Sequence, residues 1–272
     1  MIRIDGLVAR YGRAVAIDRM SLHIPEGSFF GLLGPNGAGK TTAISCIAGL
    51  HPPASGTIRV AGFDPVREPR KVLDVLGVVP QRIALYPRLS VVENLRVFGG
   101  LHGLHGARLR DRVEWGLELS QLTAHRKKAV EALSGGMQRR LNLAVGLLHK
   151  PKVAVCDEPT AGVDPQSRNH IFATLRDLHS EGLTVVYTTH YLEEVEALCD
   201  QIAIMDRGYV IQSGSLDELL QGRGAKRIEL QRPADRERVV AALEAAGIEV
   251  GEIRGRTLED LLLELTGSAL RE

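Results

Sequence analysis

The chain has 272 residues, 44% of them hydrophobic, and 34 Lys and Arg residues nearly balance 33 Asp and Glu residues to leave a net charge of +1. That length holds one large α/β domain and at most a small additional one. A charge so close to zero gives no long-range field, which argues against nucleic acid or an acidic membrane surface as a partner.

The sequence predicts neither a membrane span nor a signal peptide. The longest stretch without Lys, Arg, Asp or Glu, residues 41–58, contains two prolines and two glycines, which would break a spanning helix. Six charged residues lie within the first twenty, so no apolar signal core is expected there. The three cysteines, Cys46, Cys156 and Cys199, are far apart, which predicts unpaired thiols in a reduced cytosol.

Strands and helices are predicted to alternate over residues 1–222. Period-two alternation and short apolar runs predict strands at 2–4, 21–24, 28–33, 57–60, 75–79, 152–156 and 183–188. Helices are predicted at 40–48 and 166–179, and residues 90–150 have helical spacing without a clear strand. A hairpin is predicted at 202–212, around Arg207 and Gly208. This order predicts an α/β fold, with a parallel sheet covered by helices.

A change in composition predicts a second, smaller unit at the C-terminal end. Residues 221–224, Gln-Gly-Arg-Gly, are a candidate linker. A strand at 227–230 and a helix at 235–246 follow, and a capping box at 257–260 begins a last helix. We therefore expect a small α+β C-terminal domain at 225–272.

A glycine-rich loop lies between a predicted strand and a predicted helix. Glycines let backbone N–H groups surround a phosphate at the start of a helix. The pattern GxxxxGK[ST] predicts that Lys40 contacts the β- and γ-phosphates of a nucleotide and that Thr41 ligates Mg²⁺. The predicted nucleotide contacts are Gly34, Pro35, Asn36, Gly37, Ala38, Gly39, Lys40, Thr41 and the next residue, Thr42.

Two carboxylates, Asp157 and Glu158, end the apolar strand that begins near residue 152. Because α/β sheets bind ligands at the carboxyl ends of their strands, we expect both acids beside the phosphates. Asp157 is the expected Mg²⁺ partner, through water, and Glu158 is expected to orient and polarise the attacking water. An acid pair after a strand is also a common surface feature, and the P-loop is what favours the catalytic interpretation.

Ser134, Gly135 and Gly136 stand at the head of a predicted amphipathic helix, within the run Leu-Ser-Gly-Gly-Met-Gln. A serine hydroxyl and free N–H groups there would form a second anion site, although the same pattern also serves as an ordinary helix N-cap. Since the P-loop already covers one face of a phosphate, a second site predicts a two-chain sandwich. Each ATP would lie between the P-loop of one protomer and this segment of the other.

These motifs, in this order, closely resemble the ATP-binding cassette (ABC) ATPase family over residues 1 to about 220. The resemblance implies a P-loop ATPase core with an antiparallel β subdomain and a helical signature subdomain at about 82–150. It implies ATP and Mg²⁺ as cofactors and a dimer of cassettes, either a homodimer or a heterodimer with a second cassette. It also implies a separate transmembrane permease as partner and no nucleic acid partner. The chain itself is expected in the cytoplasm, peripheral on the inner face of the cell membrane.

The resemblance assigns further roles to single residues. Tyr11 stands where the family stacks adenine, and Gln81 resembles the Q-loop glutamine, which senses Mg²⁺ and the attacking water. Asp164 resembles the D-loop aspartate that crosses the dimer interface, and His190 resembles the switch histidine that contacts the γ-phosphate. By spacing alone, Tyr11 is equally well a core or edge-strand tyrosine, and a lone histidine at a strand end is usually structural.

Two positions depart from the family pattern, and other segments indicate a subfamily. Met137 stands where many members have Gln, and Val163 stands where Leu is usual, but neither change removes a catalytic group. The segments at 86–90 and 93–95, together with SGGM followed by Arg-Arg-Leu, resemble type-two exporters of drugs, polyketides, sodium or polysaccharides. The sequence thus predicts the ATP-hydrolysing motor of an exporter, with drug or antibiotic efflux as one expected role.

Two other functions compete with the exporter motor. A non-transport ABC ATPase acting on nucleic acid or a protein assembly is the main alternative, but the chain has one compact cassette without a long insertion or a basic patch. A kinase-like P-loop enzyme would leave Ser134, Gly135 and Gly136 without a role.

Overall fold

The computed structural model describes residues 1–221, with only the backbone of Leu220 and Gln221. The C-terminal domain predicted for 225–272 lies outside the described residues. Gln221, predicted as the first linker residue, is instead the last residue of a helix. Within the described part of the chain, no helix is both long enough and apolar enough to span a bilayer.

Strands and helices alternate along residues 1–221. The strands are β1 (Ile2–Tyr11), β2 (Ala14–Ile24), β3 (Phe29–Leu33), β4 (Ser55–Val60), β5 (Leu76–Val79), β6 (Val153–Asp157), β7 (Thr184–Thr189), β8 (Gln201–Asp206) and β9 (Tyr209–Ser215). The helices are α1 (Lys40–Ile47), α2 (Pro69–Val75), α3 (Val91–Leu101), α4 (Gly106–Leu119), α5 (Gly135–Gly146), α6 (Pro165–Ser180), α7 (Leu192–Leu198) and α8 (Leu216–Gln221).

Two sheets form the framework of the described residues, and the larger one is the mostly parallel sheet predicted for an α/β fold. A six-stranded sheet has the order β5-β6-β7-β3-β8-β9, in which all neighbours pair in parallel except β8 and β9. A separate antiparallel sheet has the order β2-β1-β4. The predicted P-loop core with an antiparallel β subdomain is confirmed.

The central strands β3, β6 and β7 are buried along their whole length. The apolar sequences of β3 and β6, and the Val-Val-Tyr run within β7, are typical of parallel strands covered by other elements on both faces. Val155 and Val186 pack into one core with α1 and the antiparallel sheet. The residues that follow them, Cys156 and Tyr187, pack on the opposite face with α6. The large sheet therefore divides the ATPase core into two apolar layers.

A third apolar core lies among α3, α4 and α5, within the region predicted as a helical subdomain. α3 begins at a capping box in which the side chains of Ser90 and Glu93 each pair with the other residue's backbone N–H. This box stabilises the first turn of α3, at the residue where the region with helical spacing was predicted to begin.

Several element boundaries differ from the predictions. β1 and β2 are much longer than the predicted strands at 2–4 and 21–24, because irregular registers between them interrupt the period-two alternation. Helices α2, α7 and α8, which have six or seven residues each, were not predicted. Such short helices leave too few residues for helical periodicity to stand out.

The three cysteines are free, as predicted, and the structure shows that all three are buried. Burial raises the pKa of the Cys46 thiol to about 11 and the pKa of the Cys156 thiol to about 12. Both side chains are therefore neutral near pH 7 and act as apolar packing residues.

Backbone contact between α5 and β5 joins the helical subdomain to the sheet. A Cβ atom on Gly77 of β5 would lie 2.5 Å from the carbonyl oxygen of Gly146, the last residue of α5. A Cβ atom on Gly146 would lie 2.7 Å from the carbonyl oxygen of Val78. Only glycine lets the helix end approach the strand this closely.

We expect Gly146→Ala to lower the free energy of unfolding by about 1–3 kcal/mol, because the added methyl group must displace backbone rather than a flexible side chain. Gly100→Ala is the matched control, since Gly100 lies in α3 with open space where its Cβ atom would be. That control should be neutral or stabilising by about 0.5–1 kcal/mol. Chemical denaturation of both variants gives the comparison, and equal losses would contradict the packing argument.

Candidate functional site

The candidate site lies where the parallel strands reach their carboxyl ends. β3 leads into the glycine loop and α1. On one side of β3 in the same sheet lie β7, then β6, then β5. Residues that directly follow these strands are therefore brought to one edge, although they are distant in sequence. Gln81, Glu158 and His190 each lie one or two residues after a strand.

The glycine loop has little room for side chains on its inner surface. A Cβ atom on Gly34 would overlap the carbonyl oxygen of Met205 in β8. Gly39 has a φ of 104°, where side chains are strained, and a Cβ atom there would lie 2.8 Å from the carbonyl oxygen of Ala16. Since Gly39 is also the N-cap residue of α1, the loop delivers the unpaired N–H groups of that helix to the site.

Lys40 begins α1, and its ammonium group is buried in the loop. Its Nζ donates hydrogen bonds to the carbonyl oxygens of Gly34 at 2.6 Å and Pro35 at 3.1 Å. It also lies 3.7 Å from Oε1 of Glu158. Burial lowers the pKa of Lys40, while the charges of Glu158 and Asp157 oppose that shift. A phosphate at the loop would supply oxygens that replace these partners and neutralise the buried charge.

Glu158 is the point on which the predicted catalytic side chains converge. Nε2 of Gln81 donates to its Oε2 at 2.9 Å, and Nδ1 of His190 lies 3.3 Å from its Oε1. With Lys40, three groups from separate segments contact the carboxylate of Glu158, a residue that is only 8% exposed. The structure thus brings together all four residues predicted to be catalytic.

The backbone at Glu158 is unusual, and hydrogen bonds hold it on both sides. Its φ is 41°, in the left-handed region, which costs a non-glycine residue about 1 kcal/mol or more. Its N–H donates to both the carbonyl and the hydroxyl of Thr188, and its carbonyl accepts from the N–H of Ala161 at 3.1 Å. The Thr188 hydroxyl also donates to Asp157 at 2.6 Å. Thr188 therefore supports both predicted acids, a role that the sequence analysis missed.

A cavity of about 320 Å³ lies between the glycine loop and these side chains. It is lined by Ala16, Asn36, Gly37, Gly39, Lys40, Thr41, Thr42, Gln81 and Glu158. A larger cavity of about 560 Å³ lies at the other edge of the sheet, where Trp115, Lys152 and Leu183 are among its lining residues. That cavity has neither a glycine loop nor a predicted catalytic residue, and we assign the nucleotide to the smaller one.

The oxygen donors at the site fit Mg²⁺. The Thr41 hydroxyl lines the cavity, the Asp157 carboxylate ends β6, and the amide oxygen of Gln81 is not used in its bond to Glu158. Within residues 1–221, no group of three or more His, Cys, Asp or Glu side chains could hold a metal ion. Mg²⁺ does not need such a cage, because it binds through one or two protein oxygens together with substrate phosphates and water.

The remaining predicted contacts form a second group. Ser134 is the N-cap residue of α5 and accepts a hydrogen bond from the N–H of Met137, and Asp164 caps α6 in the same way through Ser167. Both line a cavity of about 280 Å³ that shares no lining residue with the first. Within one chain, the P-loop and the segment that begins at Ser134 therefore form separate surfaces.

Tyr11 lies outside both cavities. It ends β1, is 54% exposed, and its ring centroid lies 4.5 Å from that of His51. An exposed aromatic pair offers a stacking surface.

Comparisons with known proteins agree with this geometry. The family model described as ABC transporter matches residues 17–161. The linearmycin resistance ATP-binding protein LnrL of Bacillus subtilis is 45% identical over 228 residues, which cover 84% of this chain and 73% of that protein. The daunorubicin resistance ATP-binding protein DrrA3 of Streptomyces coeruleorubidus is 38% identical, over 99% of this chain and 97% of that protein. A Nod factor export ATP-binding protein of Cupriavidus metallidurans is 45% identical, over 77% of this chain and 69% of that protein.

Solved structures of ATP-binding cassettes have the same fold. A dimeric cassette in a post-hydrolysis state, bound to ADP and phosphate, matches with a TM-score of 0.72 and 26% identity, over 79% of this chain and 99% of that one. The ADP conformation of another ABC transporter cassette matches with a TM-score of 0.68 and 27% identity, over 80% of this chain and 92% of that one.

Proposed function

This chain belongs to the ABC transporter family, and from that membership we propose that it is the ATP-hydrolysing motor of an exporter with a separate membrane permease. The observation that carries the proposal is the convergence of Lys40, Gln81 and His190 on Glu158, directly beside the glycine loop. The relatives add the direction of transport, since their names refer to resistance and export.

The proposed reaction transfers the γ-phosphoryl group of ATP to water. Lys40 exchanges its carbonyl partners for oxygens of the β- and γ-phosphates. Glu158 accepts a proton from the attacking water, whose oxygen bonds to the γ-phosphorus as the bond to the bridging oxygen breaks. The electron pair of that broken bond stays on ADP. His190 and Gln81 lie within hydrogen-bonding distance of Glu158 and orient the water and the γ-phosphate.

Thr41, Asp157 and Gln81 would hold Mg²⁺ at this site. The ion supplies positive charge that neutralises the phosphate oxygens. The Thr188 hydroxyl fixes the Asp157 carboxylate by a hydrogen bond of 2.6 Å and so orients it towards the same edge of the sheet.

The separation of the two nucleotide-binding surfaces supports the dimer. Ser134, Gly135, Gly136 and Asp164 lie apart from the P-loop of their own chain, and they would contact ATP bound to a second cassette. α5 then directs its N-terminal N–H groups and the Ser134 hydroxyl at the γ-phosphate. A dimeric relative in a post-hydrolysis state fits this arrangement.

The proposed cargo is a drug-like or antibiotic molecule, and the proposed location is the inner face of the cell membrane. The relatives named for linearmycin and daunorubicin resistance support this class of cargo. A non-transport role on nucleic acid is not favoured, because the net charge of the chain is only +1.

The role of Glu158 as base predicts the behaviour of Glu158→Gln. The amide keeps the size of the side chain but cannot accept the proton, so hydrolysis should slow by roughly 10²–10⁴ while ATP still binds. ATP should then hold a stable dimer, seen by size-exclusion chromatography. The control is Glu118→Gln, on the exposed face of α4. Near-normal turnover of Glu158→Gln would reject the assignment.

The sandwich predicts complementation between two inactive variants. Ser134→Arg should abolish hydrolysis but leave nucleotide binding to the monomer intact, because the bulky cation blocks the facing surface and not the P-loop. Lys40→Ala should bind nucleotide poorly, since a charge-assisted contact to phosphate is lost. A mixed dimer keeps one composite site with both faces native, so mixing the proteins should restore part of the activity. Loss of ATP binding by Ser134→Arg monomers would contradict the sandwich.

The transport role is tested by purification from detergent-solubilised membranes of the host. A protein with several membrane spans should co-purify with the tagged chain in stoichiometric amounts. Co-purification of ribosomes or nucleic acid in its place would favour the non-transport alternative.

A further inference from the structure

Arg139 is a buried cation in the second turn of α5, five residues after Ser134. Its side chain is 4% exposed, and burial lowers the pKa of the guanidinium. Among the described residues it forms no ion pair within 4 Å, and the partners of its guanidinium are main-chain carbonyl oxygens. The charges of Asp157 and Glu158 are among those that oppose this pKa shift, but neither carboxylate pairs directly with the guanidinium. Burying a cation that forms no direct ion pair is costly, and a methionine of similar length would avoid that cost.

The guanidinium joins two catalytic loops. Nη1 donates to the carbonyl oxygens of Pro80 and Gln81, in the loop after β5. Nη2 donates to the carbonyl oxygens of Glu158 at 3.0 Å and Ala161 at 3.4 Å, in the loop after β6. Each terminal nitrogen thus serves one loop.

The shape of the guanidinium suits this task. Its donors lie in a rigid plane, so the separation between its two terminal nitrogens is constant. A lysine has the same charge but a single nitrogen, and it cannot fix two loops at a set distance. The Glu158 carbonyl also belongs to a residue with left-handed backbone, a conformation that persists only when surrounding contacts determine it.

We propose that Arg139 is a positioning residue for ATP hydrolysis: it holds the Gln81 and Glu158 loops at the separation at which their side chains meet. The proposal rests on the proposed catalytic role of Glu158. It gives α5 a function within its own chain, in addition to the contact that its N-terminus makes across the dimer.

Two substitutions test this role, Arg139→Lys and Arg139→Met. Both should lower kcat by roughly 10- to 100-fold, because a shift of about 1 Å in a reacting group has such an effect. KM for ATP and equilibrium binding of ATP should stay within about twofold, because Lys40 and the glycine loop are untouched. A kcat per folded molecule equal to that of the wild type would overturn the proposal.

Arg112→Lys and Arg112→Met are the matched controls. Arg112 of α4 also donates to two carbonyl oxygens, those of Leu147 and Leu148, but these lie at the other end of α5 from the site. These controls should lower the unfolding temperature without changing kcat. If the Arg112 and Arg139 variants lose kcat equally, Arg139 has a purely structural role and the proposal is wrong.

A double-mutant cycle tests whether Arg139 acts through Glu158. Once Glu158→Gln has removed the carboxylate, adding Arg139→Lys should lower the residual rate by less than about twofold, since coupled residues are not additive. The same fold-loss in both backgrounds would show that Arg139 acts independently of Glu158 and would overturn the proposal.

Hydrogen exchange gives a measurement that needs no turnover. Peptides covering residues 78–84 and 156–163 should exchange faster in Arg139→Lys than in the wild type or in Arg112→Lys. Unchanged exchange in those peptides would overturn the proposal. If the wild-type chain does not hydrolyse ATP, the proposed function fails, and the exchange result still decides whether Arg139 holds the loops. If Arg139→Met does not fold, the lysine variant alone decides.

Discussion

The parallel alignment of β5, β6, β7 and β3 is the constraint on which the site depends. Parallel neighbours have their carboxyl ends at the same edge of a sheet. The loops that follow these strands therefore lie close together in space although they are far apart along the chain. That edge collects a lysine, two acids, an amide and an imidazole. Gln81 and His190 form hydrogen bonds with the Glu158 carboxylate, Lys40 lies 3.7 Å from it, and Asp157 accepts a hydrogen bond from Thr188. These partners are what make so many polar groups compatible with burial.

The glycine loop and the acid pair could be predicted from local sequence signals, whereas Gln81 and His190 were assigned only through the family resemblance. The glycine loop needs particular residues at fixed spacing, and Asp157 directly follows an apolar strand. The irregular pairing of β1 and β2 and the short helices could not be predicted, since they depend on register and tertiary packing. The stacking role of Tyr11 came from the family resemblance and stays a prediction. The supporting residues were also missed, because a threonine inside a strand carries no signal of its own.

Arg139 did leave a weak signal in the sequence. Gly136, Arg139, Leu143 and Gly146 are spaced by three, four and three residues, which places one charge on the buried face of α5. A cation on that face has to find oxygen partners inside the protein. The sequence cannot say which oxygens these are, because they come from loops that are 58 and 19 residues away along the chain. Tertiary structure alone identifies them as the backbone of Gln81 and Glu158.

The close contact at Gly146 gives α5 the mechanics of a lever. A helix of 12 residues is about 18 Å long, and Gly146 fixes one end of it against β5 as a fulcrum. Ser134 and Arg139 lie about 18 Å and about 10 Å from that contact along the helix, so a tilt about Gly146 would move Arg139 roughly half as far as Ser134. The proposed contact of a second cassette at Ser134 would then reach the Gln81 and Glu158 loops as a smaller displacement.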